Sequence, residues 1–249
     1  MTIGDKCVVV TGASRGIGAA IAAALAEHGQ TVVCLSRSAG YPDVNGVSQE
    51  VRSRWVTGSC DVTNAESVRN AIQKVVDQGL QIGGLVNNAG VHLEGKSEQF
   101  SLADWQTVMD TNATSVLVAC QAVFPHLVAA GGGLIVNIGS FFDKLGVKRN
   151  LANCASKAAV GAMTRCLAVE WAKHRIKVLD IAPGYILTDL NRESLSSGPL
   201  RAYLDTRIPV GEPGTARDVA ELVGLLFNAT GTFLTGETIY IDGAQGVAH

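Results

Sequence analysis

The chain has 249 residues, a formal net charge of −2, 47% apolar residues and 17% charged ones. That size supports a substantial core in one α/β unit or two small ones, and the near-balanced charge, with basic residues scattered, gives no electrostatic footprint for nucleic acid or a membrane surface. Cys7, Cys34, Cys60, Cys120, Cys154 and Cys166 form no C-x-x-C pair and have no His at zinc spacing, so no metal site is expected and most read as small buried thiols of a reducing compartment.

The opening residues Met1–Lys6 show no charged-then-apolar leader, the longest apolar runs are far short of a membrane span, and the cytoplasm is the expected location. Cys7-Val8-Val9-Val10 is a continuous apolar run, as a buried parallel strand reads. Gly16 to His28 is Ala-rich and helical, with Gly29 as its stop. Thr31–Leu35 and Trp55–Ser59 read as strands, Asn64–Val76 as an amphipathic helix capped by Asn64, and Leu85–Asn87 as a fourth strand. A long helix is expected from about Leu102 to Ala129, capped by Ser101. Leu134–Ile138 is a fifth strand, Leu151–Lys173 a long helix, Lys177–Ile181 a sixth strand, Asp218–Asn228 a helix and Thr238–Ile241 a last strand. The unbroken alternation, without repeat or linker, predicts a single doubly wound parallel sheet of the Rossmann type with helices on both faces. Chemistry in such a sheet collects at the carboxyl ends of the strands.

Thr11-Gly12-Ala13-Ser14-Arg15-Gly16-Ile17-Gly18 links the first strand to the first helix. Gly12 permits a tight turn, Gly16 lets backbone approach a pyrophosphate, and Gly18 allows close helix packing, with the helix N-terminus facing the anion. The second strand ends Leu35-Ser36-Arg37 with no acid to bond a ribose 2′-hydroxyl, while Arg37 and Arg15 could meet a 2′-phosphate; the expected cofactor is NADP(H). The alternative is that both arginines are solvated surface groups.

The spacing Thr-Gly-x-x-x-Gly-x-Gly, Asp61-Val62, Asn87-Asn88-Ala89-Gly90, Asn112, Ser140 with Lys157 seventeen positions on, and Pro183-Gly184 followed by Thr188 together resemble the classical short-chain dehydrogenase/reductases, across nearly the whole chain. The resemblance implies one NADP-binding domain over residues 1–249, with a substrate lid at about 185–208. It implies cofactor contacts from Gly12, Ser14, Arg15, Gly16, Ile17 and Gly18, from Arg37, Asp61 and Val62, from Asn88, Ala89 and Gly90, and from Lys157, Pro183, Gly184, Ile186 and Thr188. It also implies a catalytic set of Asn112, Ser140, Lys157 and the residue at 153. There the chain departs from the family: Asn153 stands where a Tyr phenol donates the proton. An amide can donate a hydrogen bond but cannot release a proton near neutral pH, and losing a general acid typically costs about 10²–10⁴ in rate.

Three explanations stay open: a single substitution in an otherwise intact enzyme, transfer of the proton role to another group, or a binding protein without turnover. For takeover, His92, Tyr185 and Asp143 are candidates; their ordinary readings are a partly buried histidine, a lid-packing aromatic and an exposed loop carboxylate. The chain also resembles 3-oxoacyl-(acyl-carrier-protein) reductases and related bacterial carbonyl reductases, which implies a small carbonyl or alcohol substrate, carrier-linked in some cases. Asn191, Arg192 and Arg201 would give the lid modest positive character. Ala155, Ala158, Ala159 and Ala162 form a small-residue stripe, read either as packing within the chain or as a helix-mediated dimer. The resemblance extends the latter to a homotetramer completed by Thr238–Gly246.

Overall fold

The computed structural model describes residues 6–188 and 198–248. In chain order these form β1 (Cys7–Thr11), α1 (Gly16–Glu27), β2 (Thr31–Ser36), α2 (Gln49–Ser53), β3 (Trp55–Ser59), α3 (Ala65–Asp77), β4 (Ile82–Asn87), α4 (Leu102–Met109), α5 (Ser115–Ala129), β5 (Gly133–Ile138), α6 (Leu151–Trp171), β6 (Ile176–Pro183), β7 (Ile186–Leu187), α7 (Gly198–Arg207), β8 (Gly214–Thr215), α8 (Ala216–Asn228) and β9 (Thr238–Ile241). Seven strands make one sheet in the order β3-β2-β1-β4-β5-β6-β9, and every pairing in it is parallel. The doubly wound Rossmann-like sheet expected from the sequence is therefore present. Strand order reverses between β1 and β4, which opens the crevice where ligands bind in such folds.

Parallel strands are covered on both faces, so their residues are apolar in runs rather than in alternation. The two sides of β1 show the division: Val8 and Val10 join α1 and α8 in one core, while Val9 joins α3, α5 and α6 in the other. Asn64 caps α3 as expected, its side chain accepting from the backbone of Glu66 and Ser67. Cys7, Cys34, Cys60 and Cys120 are buried free thiols, and burial pushes Cys34 and Cys120 up to about 12. Cys154 is half-buried and Cys166 exposed.

The helix from Ser101 onward differs from expectation in two ways. Ser101 caps it through Asp104 N–H, but α4 and α5 are joined by a π-helical turn, Asp110–Thr114. The continuous rod Leu102–Ala129 is also long and apolar enough, by length and composition, to cross a membrane, whereas the apolar runs read as far short of one. Here it packs on α3, β4 and α6. The lid stretch contains α7: Leu204, fully buried, packs with Ile208, Tyr185 and Leu187, and Arg201 pairs with Asp205 one turn on at 2.6 Å. That pairing offsets the positive character expected of Arg201. Asn191 and Arg192 lie outside the described residues.

Candidate active site

The nucleotide side is built from the ends of β1 and β4. Gly12 has φ +65°, and a Cβ there would stand 2.9 Å from Ala89 Cα; a Cβ on Gly18 would collide with the Gly12 carbonyl oxygen. The Asn88 side-chain amide donates to Thr11 O (3.0 Å) and Gly12 O (3.1 Å), and Thr11 Oγ1 accepts from the N–H of Asn88 and of Ala89. Asn88 thus spends its amide on shaping the glycine turn. The helix α1 begins with Arg15 at its N-cap and no side chain capping it, so its first N–H groups and positive dipole end remain for an anion. These features fit a pyrophosphate cradle.

Arg15 and Arg37 are exposed at its rim, with Ser14 and Ile17 half-buried between them and the core. Ser14 O accepts from Asp43 N–H. Asp61 Oδ1 accepts from the Thr63 backbone and hydroxyl at 3.0 and 2.7 Å. These bonds, and secondarily Arg37, hold the Asp61 carboxyl below its usual range. Val62 beside it is half-buried. Across the crevice, Gly184 N–H donates to Ile241 O, Ile186 is buried, and Thr188 Cγ2 lies 3.8 Å from where a Gly16 Cβ would be. The loop after Pro183 therefore sits over the glycine turn.

On the catalytic side, Ser140 lies half-buried two residues past β5, its Oγ accepting from Phe142 N–H at 3.2 Å and leaving the hydroxyl proton available. Lys157, on α6, donates to Ile138 O at 2.7 Å, two residues before Ser140. Burial lowers its ammonium to about 8, against an upward pull from Asp180. One turn earlier, Asn153 is 3% exposed. Its amide donates to Leu93 O (2.9 Å) and Asn150 Oδ1 (3.0 Å), and its Oδ1 has no partner. Asn112 sits in the π turn, 2% exposed. It accepts from Val91 N–H (2.8 Å) and donates to Val91 O (2.9 Å) and Ser156 Oγ (3.2 Å). Its carboxamide oxygen would lie 3.3 Å from a Cβ at Gly90. Asn112 therefore clamps the loop after β4 against α6.

A family profile described as enoyl-(acyl carrier protein) reductase matches residues 12–245. The chain is 35% identical over 248 residues to a 3-oxoacyl-(acyl-carrier-protein) reductase of Chlamydia pneumoniae, covering 98% of each. It belongs to the short-chain dehydrogenase/reductase family. Among other members, it is 34% identical over 246 residues to an NAD-dependent glycerol dehydrogenase of Listeria innocua, covering 98% of this chain and 95% of that one. The solved gluconate 5-dehydrogenase of Burkholderia cenocepacia, in complex with NADP and tartrate, superposes with a TM-score of 0.88 at 29% identity, over 98% of this chain and 96% of that one. Relatives of this short-chain dehydrogenase/reductase thus act on several substrate classes.

The groups weighed as replacement acids are each occupied. His92, expected to be partly buried, is instead exposed and faces Glu94 Oε1 at 3.3 Å. Tyr185 packs edge-on against Phe141 and Phe142, and burial raises its phenol. Asp143, expected to be an exposed loop carboxylate, is half-buried and accepts the Tyr240 hydroxyl at 3.0 and 2.8 Å. The residue that sequence reasoning passed over is Asp180, 0% exposed in β6. Its signal was available: a lone acid in the apolar run Val178-Leu179-Asp180-Ile181-Ala182, where burying a charge is costly without compensation.

Proposed function

We propose that this short-chain dehydrogenase/reductase is an NADP(H)-dependent oxidoreductase interconverting a ketone and a secondary alcohol, with 3-oxoacyl thioesters among its candidate substrates and its rate strongly depressed by Asn153. The observation that carries this reading is the joint survival of Ser140, just past β5, and Lys157, on α6 and bonded to Ile138 O, in a chain with an open α1 N-terminus and an amide at 153. Gly12, Gly16, Gly18 and the α1 N-terminus would hold the pyrophosphate, Arg15 and Arg37 the 2′-phosphate, and Lys157, Pro183, Gly184, Ile186 and Thr188 the nicotinamide end. The bound cofactor supplies or accepts a hydride. Ser140 then positions the substrate oxygen through its free hydroxyl proton, and charge developing on that oxygen is stabilised by Ser140 and by the Lys157 ammonium. Asn112 fixes the floor of the pocket by holding Val91.

One domain spans 1–249 and the protein is cytoplasmic; of the lid expected over about 185–208, residues 189–197 lie outside the described residues. Small-residue and apolar positions left uncovered on α6 and on the rod support assembly into a homotetramer: Ala158 and Ala162 are exposed, as are Val169 and Leu102. A carrier-linked substrate fits the likeness to acyl-carrier reductases.

The deciding assay pairs this chain with Asn153→Tyr, each with NADPH and a panel of 3-oxoacyl thioesters and simple ketones. A rise of roughly 10²-fold or more in Asn153→Tyr is expected. Silence in both with NADPH still bound favours a second reading, a catalytically silent NADP-binding protein. The double anchoring of the Asn153 amide on Leu93 and Asn150 speaks for that reading.

A further inference from the structure

Behind Ser140 lies a polar cluster that the family resemblance does not invoke. Asp180 is fully buried on β6, directly under the backbone of Gly139. A Cβ on residue 139 would collide with both of its carboxylate oxygens, and one on Gly161 of α6 would stand 3.9 Å from Oδ2. Gly139 thus leaves the room that the carboxylate occupies. Thr238 Oγ1 donates to Oδ2 at 3.3 Å, while Oδ1 has no partner. The carbonyl of the preceding residue, Ile138, accepts from Lys157 Nζ at 2.7 Å. Ammonium and carboxylate therefore flank the two residues that lead into Ser140. The remaining charged or titratable groups around Asp180 are Asp143 from the loop after β5, Arg165 from α6 and Tyr240 from β9, with Tyr240 engaged on Asp143. The carboxylate that acts on the Lys157 charge is that of Asp180.

Resting on the oxidoreductase reading above, we propose that Asp180 is a positioning residue that holds Lys157 inward as an ammonium, and that Lys157, not a residue at 153, gives up the proton in the chain's slow carbonyl reduction. The step balances. A hydride from reduced nicotinamide forms the new C–H bond, and the carbonyl π pair becomes the oxygen lone pair. That oxygen takes a proton from Lys157 Nζ, leaving an alcohol, a neutral amine and oxidised nicotinamide; solvent reprotonates the amine. Asp180 stays anionic and favours the ammonium before each turn.

The test uses the full chain, Asp180→Asn, Asp180→Ser and Asn153→Tyr, each assayed with NADPH across pH on the thioester and ketone panel. The Lys157 ammonium is followed in parallel by NMR of isotope-labelled lysine. The unmodified chain should turn over slowly, and its rate should fall as pH rises past about 8, where Lys157 deprotonates. Asp180→Asn, isosteric and checked for folding by its thermal melt, should lose roughly 10²-fold, with the alkaline limb and the Lys157 midpoint both moving about one unit lower; Asp180→Ser should do the same. A Lys157 midpoint unmoved in both Asp180 variants overturns the proposal whatever the turnover. An inert unmodified chain beside an active Asn153→Tyr also overturns it and leaves the oxidoreductase reading standing. Silence in both, with NADPH bound, brings down that reading and the proton role with it.

Discussion

Position 139 has room for hydrogen alone while residue 180 carries a carboxyl group. Gly139→Ala should therefore destabilise the protein by about 1–3 kcal/mol, and adding Asp180→Ala should recover much of that loss, a coupling that thermal melts of the single and double variants measure. The same acid writes a pH signature. Burial raises folded Asp180 to about 6, so between its ordinary range and 6 the native state binds the proton more tightly than the unfolded chain, and stability falls as pH climbs through that window. Lys157 is lowered to about 8, so stability rises again from 8 toward the ordinary lysine range. Melting temperature should dip between these limits, and Asp180→Asn should erase the acid-side slope. The sequence spacing placed Ser140, Asn153 and Lys157 correctly just past β5 and on α6. It could not show that Asn153 turns to Leu93 while Lys157 turns to Ile138, because those bonds join segments sixty and nineteen residues apart.

Elements with strong periodicity were legible. All seven sheet strands and the helices α1, α3, α6 and α8 follow from apolar runs, caps and glycine stops. What escaped were short or weakly patterned pieces. The five-residue α2 has no buried residue, and α7 owes its place to Leu204 packing under the lid, a tertiary effect. The π turn escaped too, since nothing local in Asp110-Thr111-Asn112-Ala113-Thr114 distinguishes it from α-helix. Its importance is testable: Asn112→Ala removes three bonds from a buried site and should cost about 2–3 kcal/mol, a fall of roughly 5–10 °C in Tm. At the other end of the crevice, Gly18→Ala drives a methyl into the Gly12 carbonyl; NADPH affinity, read by fluorescence titration, should drop more than about tenfold. Arg15→Ala and Arg37→Ala should each narrow the preference for NADPH over NADH by about tenfold in the same titration.

For the whole molecule, the doubly wound architecture was readable because strand and helix alternate without interruption, and assembly was readable only as a resemblance. A single copy leaves Val169 at 82% and Leu102 at 85% exposure. In the proposed homotetramer, placing a charge there, as in Val169→Asp, should shift the light-scattering mass toward smaller species. The rod Leu102–Ala129 belongs to both worlds. Asn112 at its bend holds Val91, while Leu117 and Val128 on the same rod look outward. A tilt imposed by an adjoining copy would be delivered straight to the pocket floor. In the proposed homotetramer, thermodynamic reciprocity would then tie ligand affinity and subunit association by one common factor.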